Sequence, residues 1–218
     1  MSYTIAIDGP AGAGKSTIAK KIAKKMNYIY VDTGAMYRAM ALYLIRMGVE
    51  KDDKEKIEEI CKNADITIEY KDGEQIVLLN DENVNGLIRT EEVGNMASVS
   101  SANGKVREKL VQLQKELAKK ADVVMDGRDI GTCVLPNADT KVYLTASAEV
   151  RAKRRFDELT QKGESCDLEK IKEDIIERDH RDMTRESSPL KQAEDAVLVD
   201  SSNMTIDEVV EKIISLCK

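Results

Sequence analysis

The sequence predicts an α/β fold: a doubly wound, five-stranded parallel sheet flanked by helices, with a small inserted antiparallel β-subdomain and a flap. Three observations carry this. Apolar runs of strand length alternate with segments of helical period through most of the 218 residues, the pattern of parallel strands joined by helical crossovers. The first such strand runs directly into "GPAGAGKST", residues 9–17, a glycine loop of the form G-x-x-x-x-G-K-[ST]. Around Asp72-Gly73 the chain instead alternates apolar and polar residues, which is the signature of an antiparallel hairpin and foreign to a parallel sheet.

Taken in order, "YTIAID" is a short buried strand ending at Asp8, and "STIAKKIAKKM" has the period of an amphipathic helix that starts near Lys15. Strand, loop and helix thus follow each other as a phosphate-binding loop requires. Gly9, Pro10, Ala11, Gly12, Ala13 and Gly14 would wrap phosphates with backbone N–H groups, reinforced by the positive end of the helix. Lys15 would reach the β- and γ-phosphates, the Ser16 hydroxyl would ligate Mg²⁺, and Thr17 completes the motif. The loop implies a nucleoside triphosphate, ATP or another, and leaves open what is done with it.

"NYIYVDTG" is a second strand ending at Asp32, "AMYRAMALYLIRMG" a helix that stops at Gly48, and "IEEICKNAD" a further short helix. The hairpin "ITIEYKDGEQIVLLNDENVN" with its short third strand marks an inserted subdomain over residues 63–97, so that 1–62 and 98–218 form the core of one unit. The α/β pattern resumes with helix "VREKLVQLQKELAKKA", strand "DVVMDGRDIG" with its polar end, and strand "TKVYLTAS". Two helices follow, "AEVRAKRRFDELTQKG" and "LEKIKEDIIERDHRD", and the polar stretch 155–169 around Gly163 reads as a mobile flap or lid. "AVLVDSS" is the last strand, and the final helix opens with capping-box spacing at Thr205 and Glu208.

Composition narrows the function. A net charge of −6 argues against an extended nucleic-acid footprint, yet arginines cluster at "RAKRR" and "RDHRDMTR", which suits a small, highly charged ligand. His180 is the only histidine and reads as a surface residue, which argues against His-based metal sites and serine-hydrolase triads. Cys61, Cys133, Cys166 and Cys217 lack C-x-x-C spacing, which indicates neither zinc nor a disulfide framework. No apolar run approaches the roughly 18 residues of a membrane span, and the N-terminus lacks a signal-peptide pattern. A cytoplasmic monomer is expected.

Sheets of this kind bind ligands beyond the carboxyl ends of their strands. Past the second strand stand Thr33, Tyr37 and Arg38; past "VVM" stand Asp126, Arg128 and Asp129. Asp126 is placed either to organise Mg²⁺ or simply to end a strand. Arg128 would bring a bidentate guanidinium to a phosphate. Asp129 would repel one, and needs a donor, either an arginine or the amino group of a base. Arg178, Asp182 and Arg185 share one helical face, as an exposed ion-pair ladder or as ligands of a ribose, phosphate or base carbonyl. Arg151, Arg154 and Arg155 precede the flap and could swing over a transferring phosphoryl group.

Together "IDGPAGAGKST", "VDTGAMYR", "IRTEEV", "DGRDIGT", "ERDHRDMTR" and "VLVDSS" resemble the bacterial cytidylate kinases over essentially the whole chain. The glycine loop is shared by many families; the other segments, in this order, are far more specific. The resemblance implies a three-layer P-loop NTPase fold with an inserted acceptor-binding β-subdomain, ATP as donor with Mg²⁺, and CMP or dCMP as acceptor. It implies that Thr33, Arg38 and Arg128 hold the acceptor's phosphate. Ser98, Arg107, Asp129 and Arg185 would surround the cytosine, and Arg178 and Asp182 would bind the ribose. It also replaces the ion-pair ladder and explains Asp129. Thr33 stands where serine is common, and either residue offers a hydroxyl. A kinase of the same fold with another small acceptor, or a nucleotide-dependent binding switch, are the alternatives.

Overall fold

The computed structural model describes residues 2–71 and 73–217. The elements run β1 (Thr4–Asp8), α1 (Lys15–Met26), β2 (Ile29–Asp32), α2 (Thr33–Arg46), α3 (Lys54–Ile60), β3 (Ile66–Lys71), β4 (Glu74–Leu79) and β5 (Glu82–Asn83). They continue with α4 (Glu91–Ser100), α5 (Gly104–Ala118), β6 (Val123–Gly127), β7 (Thr140–Thr145), α6 (Ala148–Gln161), α7 (Leu168–Thr184), β8 (Val197–Asp200) and α8 (Ile206–Ile214). A five-stranded sheet has the order β2-β6-β1-β7-β8, and a separate three-stranded sheet the order β3-β4-β5. The α/β class and the separate antiparallel sheet are as the sequence predicts.

By its internal contacts the chain divides into two compact units, one made of Tyr3–Tyr28 with the residues from Val124 onward, the other of Ile29–Val123. In the first, β1 pairs in parallel with β7, Asp8 opposite Tyr143, and β7 in parallel with β8. Ile5, Ala6 and Ile7 are fully buried, as a strand covered on both faces demands. Helix α1 lies against α8, and Lys21 reaches Asp207 at 2.8 Å. The capping box at Thr205 and Glu208 is formed in full. A Cβ at Gly9, where φ is +151°, would stand 1.9 Å from the Leu144 carbonyl oxygen; only glycine lets the loop leave β1 so close to β7.

In the second unit, Asp32 caps α2 by accepting from the Ala35 N–H at 2.9 Å, so the helix starts at Thr33, earlier than its apolar pattern suggests. β3 and β4 pair antiparallel, Ile66 opposite Leu79 and Lys71 opposite Glu74. Of the turn residues, Gly73 has φ +78°, while Asp72 lies outside the described residues. Helix α4 is absent from the expected elements. Thr90 caps it on the Val93 N–H at 3.3 Å, and Val93, Met96 and Ala97 are buried at helical spacing.

Two further differences concern the first unit. After β6, residues Ile130–Val134 wind into one wide π-type turn rather than continuing a strand. Of the expected flap 155–169, residues up to 161 complete α6 and those from 168 open α7, leaving 162–167 as the irregular connection.

Candidate active site

The phosphate loop is assembled in the first unit as its motif requires. Gly14, with φ +85°, caps α1, and Lys15 turns back to donate from Nζ to the Pro10 carbonyl at 2.7 Å. Ser16 Oγ donates to Asp126 Oδ2 at 2.9 Å. Burial pushes the Lys15 ammonium well below its ordinary pKa, Arg128 and Arg178 push it further, and Asp126 and Asp8 oppose them. A lysine so crowded by cations is a binding point for a polyanion, whose charge would restore its own.

The turn after β6 carries Arg128 and Asp129 into the same surroundings. Arg128 Nε donates to Asp182 Oδ2 at 2.8 Å. Burial alone would weaken the Arg128 cation, but Asp182, Asp126 and Asp179 raise its pKa above the ordinary value. Burial would likewise raise Asp182, and Arg128, Arg178 and Arg185 hold it below the usual carboxylate range instead. Arg185 stands just past α7, with Nη2 at 3.6 Å from Asp129 Oδ1. Its Nε and Nη2 also donate to the Ser188 carbonyl, at 2.9 and 2.6 Å. Arg185 is thus one cation beside the Asp129 carboxylate, at ion-pair distance and beyond a hydrogen bond. Arg178, Asp182 and Arg185 do not form an exposed ladder, since Asp182 is buried and tied to Arg128.

The arginines of α6 do not project from a flap. Arg151 is buried, bonded to the Ala146 and Ala11 carbonyls at 2.9 and 2.8 Å and to Asp179 at 2.6 Å. It braces the phosphate loop from behind. Arg154 donates to Ser201 Oγ and O at 3.2 and 2.8 Å, and Arg155 makes a surface pair with Glu158 at 3.0 Å. In this structure Arg151 and Arg154 both rest on fixed acceptors.

The second unit holds the other expected residues. Thr33 is the buried first residue of α2. One turn on, Arg38 Nη1 donates to the Ile88 carbonyl at 3.0 Å, and its guanidinium lies against Gly94, where a Cβ would be 3.1 Å from Nη1. Tyr37 stacks under Arg107, whose guanidinium carbon is 5.7 Å from the ring centroid. Arg107 and Ser98 are both buried, and Arg107 Nη1 donates to the Ser101 carbonyl at 3.3 Å.

Sequence patterns missed several supporting residues. Arg89 Nη2 pairs with Asp32 Oδ2 at 2.7 Å, and Gln75 brackets the Asp32 backbone, accepting from its N–H at 2.8 Å and donating to its carbonyl at 3.2 Å. Asp8 accepts from the Ile130 and Gly131 N–H groups, each at 2.7 Å. Its one sequence signal was a carboxylate ending an apolar run. Among the described residues no group of three or more His, Cys, Asp or Glu side chains could hold a metal, all four cysteines are free thiols, and no helix is long and apolar enough to cross a membrane.

Known proteins resemble this chain over nearly its full length. A family model described as cytidylate kinase matches residues 5–218. A cytidylate kinase of Caldicellulosiruptor saccharolyticus is 53% identical over 212 residues, covering 97% of this chain and 94% of its own. One from Bacillus cereus (strain B4264) is 48% identical over 213 residues, covering 98% and 95%. Among solved structures, a gluconokinase from Sinorhizobium meliloti 1021 superposes with TM-score 0.51 at 14% identity, covering 98% of this chain and 90% of that one. An uncharacterized protein from Eubacterium ventriosum gives 0.52 at 14%, covering 99% and 97%. At that identity these two bear on the fold alone.

Proposed function

This chain belongs to the cytidylate kinase family and is a kinase that phosphorylates CMP with ATP; we propose that it also accepts dCMP, that Mg²⁺ assists, and that its residues divide the work in a definite way. Gly9 to Thr17 bind the triphosphate, with Lys15 on the β- and γ-phosphates. Ser16 and Asp126 would hold the metal: a hydroxyl and a carboxylate oxygen 2.9 Å apart are hard oxygen donors, and Mg²⁺ commonly takes only one or two protein ligands beside phosphate and water. Bound there, Mg²⁺ would neutralise charge on the donor's phosphates.

Thr33, Arg38 and Arg128 hold the acceptor's phosphate, with Tyr37 backing Arg107. Arg178 and Asp182 take the ribose. Ser98, Arg107, Asp129 and Arg185 take the cytosine. The acceptor phosphate is already an anionic nucleophile at neutral pH, so no general base is needed; alignment and charge neutralisation carry the reaction. Lys15 and Arg128 supply that charge. From α6, Arg151 holds the loop through the Ala11 carbonyl and Asp179, and Arg154, whose hydrogen bonds to Ser201 involve no carboxylate, would add its charge on leaving them. Residues 63–97 act as the acceptor-binding insert and 155–169 as the lid that excludes water. The enzyme works as a cytoplasmic monomer.

The observation that supports this division most is the buried carboxylate of Asp129 beside Arg185. Cytosine presents an N4 amino donor where uracil presents the O4 acceptor, and a carboxylate suits only the first. ADP formation from MgATP with AMP, GMP, UMP, CMP and dCMP offered separately tests it. Turnover confined to CMP and dCMP is expected. ATP turnover that ignores all acceptors would point to a nucleotide-driven binding switch instead.

A further inference from the structure

Asp129 sits at the N-cap position of the turn Ile130–Val134, yet its side chain makes no cap hydrogen bond. That is unusual, because an aspartate there ordinarily accepts from the N–H groups just ahead of it. The bonds inside the turn run from Cys133 and Val134 back to the Asp129 carbonyl, and from Leu135 to Ile130. The N–H groups of Ile130 and Gly131 therefore need acceptors from elsewhere. Asp8 provides both, one to each carboxylate oxygen, at 2.7 Å and across more than a hundred residues of sequence. A Cβ at Gly131 would be 3.4 Å from Asp8 Oδ2 and 3.2 Å from Lys141 Cδ, so a glycine is what lets that amide approach.

We propose that Asp8 is a positioning residue for cytosine selection: by capping the turn in place of Asp129, it leaves the Asp129 carboxylate directed at Arg185 and the base rather than at its own backbone. The inference rests on the assignment of Asp129 to the base. Burial raises the Asp8 pKa to about 6, and the two N–H bonds and Lys15 only partly offset burial and the repulsion from Asp129. An ionised group kept under those conditions is a poor choice for mere packing, because a neutral residue of the same shape would fill the space without the desolvation cost. A carboxylate is required because only it accepts twice with no donor of its own.

Asp8→Asn keeps one acceptor and turns an amide donor toward the second N–H, so Asp129 is drawn back to cap its own turn. The expected result is a rise in KM for CMP and a fall of about tenfold in the ratio of kcat/KM for CMP to that for UMP, with KM for ATP changed by less than about twofold. Phosphate ionisation cancels in that ratio. A wild type that does not discriminate CMP from UMP would overturn the assignment of Asp129 itself. A discriminating wild type whose preference survives Asp8→Asn, or a variant in which the CMP and ATP constants move together, would overturn the role of Asp8 alone.

A titration of the wild type needs no variant. The charged and titratable groups facing Asp8 are Lys15 of the phosphate loop, Asp129 in the turn and Tyr143 opposite it on β7, while the Lys141 ammonium is bonded to Asp195. The backbone N–H resonances of Ile130 and Gly131 should shift together with a midpoint near pH 6. Resonances that stay fixed from about pH 4 to about pH 8 would contradict the clamp.

Discussion

Arg128 Nε and Asp182 Oδ2 meet at 2.8 Å with both side chains largely buried, tying the turn after β6 to helix α7. A pair in this setting gives geometry more than net stability, but losing one partner strands the other's charge.

Asp182→Asn should therefore lower stability by about 3 kcal/mol, read as a lower urea midpoint, and raise KM for CMP. Asp182 is held below its ordinary pKa. Its contribution is then fully present above the unfolded value of 3.8 and is lost as pH falls through the depressed folded value. Acid unfolding of the variant should be less steep below that point than that of the wild type. An unchanged acid limb would mean that Arg128 is satisfied by other carboxylates.

Ser16→Ala and Asp126→Asn should each raise the Mg²⁺ concentration for half-maximal rate by about tenfold or more, with KM for CMP nearly unchanged. Magnesium titrations at fixed ATP provide the check. A curve matching wild type would reduce the Ser16–Asp126 contact to a structural hydrogen bond.

Lys15→Ala should lower kcat by about a hundredfold or more while CMP binding, measured without donor, changes by less than about threefold. Steady-state kinetics beside calorimetric CMP binding separate the two effects. An unaltered kcat would remove Lys15 from the reaction.

Gly9→Ala and Gly104→Ala make a contrasting pair. At Gly9 a Cβ would collide with the Leu144 carbonyl at 1.9 Å, so a loss at or beyond the upper end of about 1–3 kcal/mol is expected. At Gly104, the first residue of α5, no heavy atom lies within 4 Å of a Cβ. Alanine there should stabilise by about 0.5–1 kcal/mol. Thermal melts of the two variants moving the same way would contradict this account of the loop.

How far the sequence carried depends on whether a feature is local. The parallel strands, the phosphate loop, the hairpin and the Thr205–Glu208 capping box follow from spacing within a few residues. Helix α4 is equally local, opening on the Thr90 cap, two glutamates and Val93, but it is short and follows closely on the alternating pattern of the hairpin, which masks its helical period. Other features join residues distant in sequence. Arg151 lies in an arginine run that reads as mobile, and only the buried Asp179 and the Ala11 carbonyl turn it into a brace. Likewise no pattern couples Gln75 and Arg89 to Asp32, or Asp8 to the amides after Asp129. Charged residues near a site are easy to find in a sequence; which of them face ligand and which face each other is settled by packing.

The most direct test of the central claim is the ratio of kcat/KM for CMP to that for UMP, measured for the wild type and for Asp129→Asn. If the Asp129 carboxylate selects the cytosine amino group, the wild type should favour CMP by more than about tenfold, and the variant should lose most of that preference. Equal values for the two nucleotides in the wild type, or a preference untouched by Asp129→Asn, would contradict it.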